Sequence, residues 1–262
     1  MDQDKTLQKL VPAVERAVEV LDIVAVSKRF LTVSELAREA DLPKSTVHSL
    51  CLTMVQLGML IRRPDQTFQL GPHLLRWSNA FDRQTDVATE FALLCDDMPI
   101  LTEAAATLSV PEDIDMVFIA SRQAAAGHRF QARPGMRVPA PFVAAGKAIL
   151  SRWSDFEIRR RFADGLPKPL TENSVRSVDQ LFEEIRLVRK TGFAEEVGQC
   201  IDGVTNLSAP ILNALNRPLA AVMLSLPTEL ADAELLTEVS QTVLTLANRL
   251  SHRMGADIPD CL

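Results

Sequence analysis

Apolar side chains in the first 60 residues recur with helical spacing, and two of the predicted helices lie close together in the chain. The pattern predicts one helix over residues 12–27 and a short second helix over residues 33–40. A third helix follows at once, beginning at Pro43 or Lys44 and ending at Gly58. Its apolar positions are Val47, Leu50, Met54 and Leu57. Two helices joined by so short a turn are typical of a helix-turn-helix.

Two short β-prone segments follow this helix. They span residues 59–63 and 67–70, and Pro64-Asp65-Gln66 supplies the turn between them. A helix, a tight turn, a second helix and a hairpin, in this order, present one helix to a DNA major groove and a wing beside it. The sequence therefore predicts a winged helix-turn-helix.

Beyond residue 72 helical segments give way to alternating ones. Helical spacing continues over residues 73–89 and from residue 90 to about 108, with Pro99 as a kink or break. The predicted strands that follow are 116–122, 128–133, 193–199, 204–211 and 219–226, and the predicted helices are 146–153, 155–163, 178–191 and 233–254. This combination predicts an α/β domain with a largely antiparallel sheet, which can enclose a small molecule.

The chain is therefore predicted to be an α+β protein in three parts. Residues 1–71 form a winged helix-turn-helix DNA-binding domain, and residues 72–89 form a linker helix. Residues 90–262 form an effector-binding and oligomerisation domain. A chain of 262 residues is long enough for two domains with separate cores.

The formal net charge of −6 is unevenly distributed. Residues 1–75 carry nine basic and nine acidic side chains, whereas the rest of the chain carries nineteen basic and twenty-five acidic ones. A neutral DNA-binding domain can still present a basic face where its acidic side chains point away. This balance indicates modest non-specific affinity for DNA unless a dimer doubles the contacts.

Composition also bounds the location of the protein and its cofactors. No apolar run approaches about 20 residues and the first ten residues are charged, so we expect neither a membrane span nor a secretory signal. The cysteines are scattered and lack zinc-binding spacing, which favours reduced thiols in the cytoplasm and no metal or other cofactor. They are Cys51, Cys95, Cys200 and Cys261.

Nothing in the sequence predicts catalysis. The motifs GxSxG, HExxH, GxGxxG and the P-loop do not occur, and Cys200 is interpreted as a packed thiol. Glu195 and Glu196 are adjacent in a predicted strand, so they point to opposite faces and cannot act on one substrate. The histidines fall in separate elements: His48, His73, His128 and His252. We expect no catalytic residues and no enzymatic activity.

The N-terminal, outward face of the third helix carries the candidate DNA contacts. A recognition helix needs short polar or basic side chains there, to reach base edges and phosphates. The candidates are Lys44, Ser45, Thr46, His48, Ser49 and Thr53. We assign base edges to Ser45, Thr46 and Ser49, and phosphate or base-edge contacts to Lys44 and His48. Capping of the helix is the alternative role for Ser45 or Thr46.

Arg62 and Arg63 lie on the predicted wing, where they can hold phosphates. The alternative is a solvated charged hairpin without a DNA contact. Winged helices also dock proteins, so a protein–protein interaction module is the second interpretation of this half of the chain. A hydrolase fused to a regulatory domain is the third, and the absence of nucleophile–base spacing disfavours it.

Three stretches of the chain resemble the IclR family of bacterial transcriptional regulators. They are LAREADLPKSTVHSL with the following GMLIRR and FQLGPHLL, then PGMRVPAPFVAAGKAIL, and finally GFAEEVGQCIDGVTNLSAPILNALNRPLAAVMLSLP. The resemblance covers residues 12–255 in order. It implies a winged helix-turn-helix joined by a linker helix to a GAF-like effector domain, and dimers or tetramers on palindromic operators. Many relatives carry arginine where Ser49 stands, so a different operator preference is implied.

The resemblance also implies an effector pocket between the Gly-Lys-Ala helix and the last strands. The matching positions are Phe142, Ala144, Ala145, Gly146, Glu196, Val204, Asn206, Met223 and Ser225. Members that bind small α-keto acids have cysteine where Asn206 stands and serine where Met223 stands. Where Phe142 and Met223 face the pocket, they imply a ligand that is larger or more hydrophobic than glyoxylate, such as an aromatic or branched catabolite. The alternative role of both side chains is ordinary packing in the core. Repression is the expected mode of action, since it is the commoner one among such proteins.

Overall fold

The computed structural model describes residues 11–84, 86–96, 103–124 and 132–258, except the side chains of residues 79 and 81–84. The chain divides into two compact units, Met1–Gln84 and Thr85–Leu262. Each unit has a hydrophobic core of its own among the described residues. The two units are therefore described one at a time.

The first unit packs helices against a small antiparallel sheet, in the strand order β1-β3-β2. Its elements are α1 (Pro12–Val26), β1 (Leu31–Thr32), α2 (Val33–Glu39), α3 (Lys44–Gln56), β2 (Leu60–Arg62), β3 (Thr67–Leu70) and α4 (His73–Gln84). The fully or nearly fully buried core residues come from all three helices before the wing and from the strands: Val20, Leu31, Leu36, Val47, Cys51, Met54, Leu60 and Phe68. This core fixes α3 against α2.

Local chemistry sets the ends of α2 and α3. Thr32 caps α2, because its hydroxyl accepts the Glu35 amide N–H at 3.4 Å while the Glu35 carboxylate accepts the Thr32 amide N–H at 2.8 Å. These bonds and the nearby Arg29 lower the pKa of Glu35 to about 2. Asp41 adopts a left-handed conformation (φ 49°) in the turn before α3, and Gly58 (φ 74°) follows the end of α3.

The second unit is built on a six-stranded sheet in which every pairing is antiparallel, in the order β6-β5-β4-β9-β8-β7. Its elements are α5 (Val87–Cys95), β4 (Ala105–Glu112), β5 (Asp115–Arg122), β6 (Arg137–Pro139), α6 (Ala144–Leu150), α7 (Asp155–Arg161), α8 (Val178–Thr191), β7 (Ala194–Val197), β8 (Val204–Leu212), β9 (Pro218–Pro227) and α9 (Ala233–Arg253).

Helices cover both faces of this sheet, and β9 shows how the sequence specifies it. Val222 and Leu224 pack with α5 and α9 in one core, whereas Ala221 and Met223 pack with α6 and α8 in the other. Side chains of a strand alternate between the two faces, so a strand buried on both faces needs an uninterrupted apolar run. The segment LAAVMLSL within β9 supplies that run, with one serine.

The two edge strands of the sheet are short. β6 has three residues and β7 has four, whereas β8 and β9 have nine and ten. β8 therefore continues past Ser208, the last of its residues that pairs with β7. In the extension, the Leu212 amide N–H donates at 2.9 Å to the hydroxyl of Ser251 on α9.

The α+β class and the mainly antiparallel sheet predicted from the sequence are confirmed, and the helix predicted over residues 178–191 coincides with α8. Two predicted helices are wrong in extent. The helix predicted over residues 73–89 ends at Gln84, and α5 begins after Asp86, whose carboxylate accepts the amide N–H groups of Ala88 and Thr89.

The helix predicted from residue 90 to about 108 ends at Cys95, and its last four residues belong to β4. The spacing of Ala105 and Leu108 suits a helix, but pairing with β5 and β9 extends the chain, with Leu108 in one core and Thr107 and Ser109 on the other face. The short strands β1 and β6 were not predicted. The strand predicted over residues 128–133 lies largely outside the described residues.

Candidate DNA-binding and effector-binding sites

The outward face of α3 is exposed from its first residue to its last turn. Five of the six predicted contacts on this helix are exposed and Thr46 is half-buried; the exposed ones are Lys44, Ser45, His48, Ser49 and Thr53. The opposite face holds Val47, Cys51 and Met54 in the core. At about 100° per residue, the centre of the exposed face is a stripe of four residues, Ser45, Ser49, Leu52 and Gln56.

Two of the hydroxyl groups on α3 are bonded to their own helix. Ser49 donates to the Ser45 carbonyl at 3.0 Å, and Thr53 donates to the Ser49 carbonyl at 2.9 Å. The N-cap residue is Pro43, and no side chain caps the helix there. Capping, the alternative role considered for Ser45 or Thr46, therefore has no support in this geometry.

Leu52 belongs to the exposed face although the sequence reasoning did not select it. Its exposed fraction is 44%. Helical spacing from Ser45 and Ser49 already places it beside them. It was missed because the search of this helix was limited to polar side chains.

The two arginines of the wing are held differently. Arg62 is exposed and contacts Gln66 of the hairpin turn. The Arg63 guanidinium stacks 4.1 Å from the centre of the Phe30 ring and donates to the Gln69 side chain at 3.0 Å. Arg62 is thus the wing cation that can turn to a phosphate without losing a stacked partner.

In the second unit, three predicted effector residues form a chain of hydrogen bonds across neighbouring strands. Glu196 of β7 pairs in register with Asn206 of β8, and Asn206 pairs with Ser225 of β9. The Asn206 amide donates to the Glu196 carboxylate at 2.5 Å and accepts from the Ser225 hydroxyl at 2.6 Å. Backbone N–H groups of Gln199 and Cys200 donate to the other Glu196 oxygen. Glu196 is 1% exposed, so its carboxylate depends on these hydrogen bonds rather than on water.

A second buried charge, Lys147 of α6, lies in the same region. Its ammonium group forms an ion pair with Glu184 of α8 and donates to the Gln199 side-chain oxygen at 2.7 Å. The Gln199 amide in turn donates to Glu184 at 2.9 Å. Gln199 therefore joins the two clusters, since its backbone N–H also reaches Glu196. The Gly-Lys-Ala motif contains Lys147, but neither Lys147 nor its two partners were predicted as site residues.

Burial opposes ionisation of these groups. It raises the pKa of Glu196, against the hydrogen bonds from Asn206 and the backbone N–H groups. It lowers the pKa of Lys147, against the attraction of Glu184. Burial also raises the pKa of the Cys200 thiol to about 12, which agrees with the interpretation of Cys200 as a packed thiol.

The other predicted effector residues surround the start of α6 or face it from the sheet. Met223 packs in one core with Ala144 and Ala145, and Val204 is buried on β8. A Cβ on Gly146 would lie 2.1 Å from the Ala140 carbonyl oxygen, so only glycine allows α6 to approach the turn Ala140–Phe142. Phe142 is fully buried in that turn.

Two hydroxyl groups on the same face of the sheet were not predicted. Thr107 lies opposite Met223, and Ser109 lies opposite Ala221. Both hydroxyls are buried and have no hydrogen-bond partner within the described part of the chain. They extend the polar surface of this face from β7, β8 and β9 onto β4.

The described residues contain neither a metal-binding cluster nor a membrane-spanning helix. No group of three or more His, Cys, Asp or Glu side chains there is arranged to hold a metal ion. No helix in the same ranges is long and apolar enough to cross a membrane.

Two family models match the chain. Residues 13–64 match the IclR helix-turn-helix domain, and residues 80–252 match the C-terminal domain of the bacterial transcriptional regulator IclR. The first match covers α2, α3 and the start of the wing. The second covers both polar clusters and every predicted effector residue.

Curated relatives and solved structures extend over nearly the whole chain. The HTH-type transcriptional regulator BhcR of Paracoccus denitrificans is 26% identical over 93% of this chain and 87% of its own. The transcriptional repressor IclR of Escherichia coli K12 is 26% identical over 94% and 90%. The crystal structure of the Agobacterium tumefaciens repressor BlcR is 38% identical, covers 96% of this chain and 100% of its own, and has a TM-score of 0.77.

These relatives are named as regulators of transcription, which confirms the expectation that the protein is not an enzyme. The order of a helix-turn-helix domain and a C-terminal effector domain is confirmed as well. The protein is a DNA-binding transcriptional regulator, and the chain belongs to the IclR family.

Proposed function

We propose that the protein is a ligand-responsive repressor of transcription that acts in the cytoplasm. It binds a palindromic operator as a dimer or tetramer, with α3 of each copy in a major groove. A small organic-acid-like or aromatic catabolite binds in the second unit and changes its DNA affinity or promoter activity. The observation that carries the DNA half of this proposal is the exposed face of α3, polar from Lys44 to Ser49.

The DNA-facing side chains fit this role by their chemistry. Short hydroxyl side chains let a helix approach base edges closely, while Lys44 and Arg62 lie at the helix start and on the wing, where phosphates pass. The same unit has no net charge over residues 1–75, so one copy binds weakly. Two copies on two half-sites double the phosphate contacts.

The effector half rests on the buried chain Glu196–Asn206–Ser225 and on the apolar surface beside it. A ligand with an oxygen function would pair with hydroxyls on this face, such as Ser225 and the unpaired Thr107. Met223 adds apolar area that favours an aromatic or branched carbon skeleton. Residues 142–146, at the turn and the start of α6, lie beside the same face of the sheet.

Two further observations support repression and self-association. IclR of E. coli and BlcR of A. tumefaciens are both named repressors. α1 carries a stripe of exposed apolar side chains, including Val14 and Val18, on the side opposite to the buried Val20. A second copy of the chain would remove this stripe from water.

The proposal is tested by fluorescence anisotropy of the full chain on its own upstream intergenic DNA, at two salt concentrations, beside a scrambled duplex. We expect selective binding that weakens with salt. Candidate aromatic and branched catabolites are then titrated into the complex, with release of the DNA as the expected result for a repressor. Equal affinity for the scrambled duplex would contradict the proposal and would favour a winged helix that docks protein.

A further inference from the structure

The exposed stripe of α3 lacks the side chains that read guanine. Its members are Ser45, Ser49, Leu52 and Gln56, and the only lysine or arginine of α3 is Lys44, in the first position. Guanine is read most often by two parallel bonds from arginine or lysine to its O6 and N7 atoms. The centre of the recognition face therefore lacks the commonest contact to guanine.

Two hydroxyls of this face, that of Ser49 in the stripe and that of Thr53 beside it, already donate their hydrogens within the helix. Ser49 and Thr53 each donate to the carbonyl four residues earlier in the helix, at 3.0 and 2.9 Å. Only their lone pairs remain to face DNA, and lone pairs accept from the amino groups of adenine N6 or cytosine N4. Gln56, one turn after Leu52, has the amide that pairs with adenine through N6 and N7.

Leu52 lies in the middle of this face, and 44% of its surface is exposed. The one apolar group that a base pair presents in the major groove is the C5-methyl of thymine. Leu52 is about 4.5 Å further along the helix axis than Ser49, close to the step of about 3.4 Å between base pairs. If Ser49 faces one base pair, a thymine in the next base pair would lie against Leu52.

We infer that Leu52 reads a thymine methyl group at the centre of the recognition face. The inference rests on the proposed function, because it assigns the specificity of the same DNA site. It accounts for a leucine that is exposed to water in the isolated protein. Burying one methyl group against Leu52 is worth about a fourfold change in affinity at each half-site.

The test begins with selection of duplexes from a random-sequence library by the full-length protein. Each thymidine of the selected site is then replaced, one at a time and symmetrically in both half-sites, by deoxyuridine, which removes only the methyl group. We expect one position in each half-site at which this paired replacement weakens binding by about sixteenfold, about fourfold for each half-site. The deoxyuridine effect at that position should disappear in Leu52→Ala.

Leu57→Ala is the matched control, because Leu57 is also an exposed leucine (54%) but lies at the end of α3, off the stripe. It should keep the deoxyuridine effect. Selective binding that ignores every methyl group, or an equal methyl effect in Leu52→Ala and wild type, would overturn the inference and leave the proposed function intact. Failure to enrich any sequence would overturn the proposed function itself.

Discussion

At the scale of single residues, two pairs of identical neighbours have opposite environments. Glu195 is exposed and Glu196 is buried in the polar chain, as alternation along β7 requires. Arg62 is exposed, whereas Arg63 stacks on Phe30. In each pair one member serves as a natural control for the other, because a substitution changes the same chemistry in a different place.

Glu196→Gln should alter the pH dependence of stability. Burial raises the pKa of Glu196, so the folded state holds this proton more tightly than the unfolded state, and stability falls as the pH rises above 4.5. Each tenfold change in proton affinity corresponds to about 1.4 kcal/mol. Glutamine keeps the shape, and Asn206 can turn its amide to accept from it. The variant should therefore gain stability relative to wild type as the pH rises above 4.5.

The measurement is urea unfolding at several pH values in that range, with Glu195→Gln as the control. The control should follow wild type at every pH, because Glu195 is exposed. A Glu196→Gln variant whose difference from wild type stays constant with pH would contradict the prediction.

Arg62→Ala should weaken DNA binding by a similar factor on every sequence. Each lost phosphate contact reduces the slope of log affinity against log salt by about 0.9, so a dimer that loses one contact per copy loses about 1.8. Arg63→Ala should instead lower the stability of the first unit, because it removes the stack on Phe30 and the bond to Gln69. Anisotropy titrations over a salt series and thermal unfolding separate the two effects. An unchanged salt slope in Arg62→Ala would count against its phosphate contact.

At the scale of elements, local signals in the sequence predicted most boundaries well. Ser177 and Gly192 flank α8, where the serine hydroxyl accepts the Gln180 amide N–H and the glycine adopts φ 85°. β4 carries no such signals, and its extended form depends on pairing with the next strand, β5, and with β9, which is distant in sequence. The ends of α8 could therefore be predicted from local chemistry, whereas the extended form of β4 could not.

The predicted site residues also differ in whether local sequence places them. The exposed contacts of α3 follow from helical period alone, so Lys44, Ser45 and Ser49 could be placed on one face. Lys147 and its partners Glu184 and Gln199 come from three distant segments, and nothing near Lys147 in the sequence indicates that they meet. The alternation of β7 correctly placed Glu195 and Glu196 on opposite faces.

Gly146→Ala should destabilise the second unit by about 3 kcal/mol or more, since its Cβ would collide with backbone atoms of Ala140. The helix α6 would have to move away from the turn before it, which carries Phe142. Urea unfolding followed by Trp153 fluorescence, in a Trp77→Phe background, measures this loss. A change below about 1 kcal/mol would mean that α6 can move without cost.

At the scale of the whole molecule, each compact unit contains one of the two tryptophans. Trp77 lies in α4 of the first unit, and Trp153 follows α6 in the second. Two variants, Trp77→Phe and Trp153→Phe, therefore report the unfolding of each unit in the full-length chain. This allows a ligand to be assigned to the unit that it stabilises.

Operator DNA at about one hundred times its Kd should stabilise the unit reported by Trp77 by about 2.7 kcal/mol. The reason is mass action, because the recognition helix exists only in the folded unit. Thermal unfolding of Trp153→Phe with operator, and with a scrambled duplex as the control, measures the shift. Equal shifts with both duplexes would contradict selective binding through α3.

The short edges of the central sheet bear on how concentrated the protein can become. An edge strand presents unpaired N–H and C=O groups that invite a strand from another molecule, and long flat edges nucleate aggregates. Here β6 and β7 offer three and four residues, the outer face of β7 carries the charge of Glu195, and Ser251 occupies the Leu212 amide where β8 outruns β7. These features favour a protein that resists fibrillar association in a crowded cell.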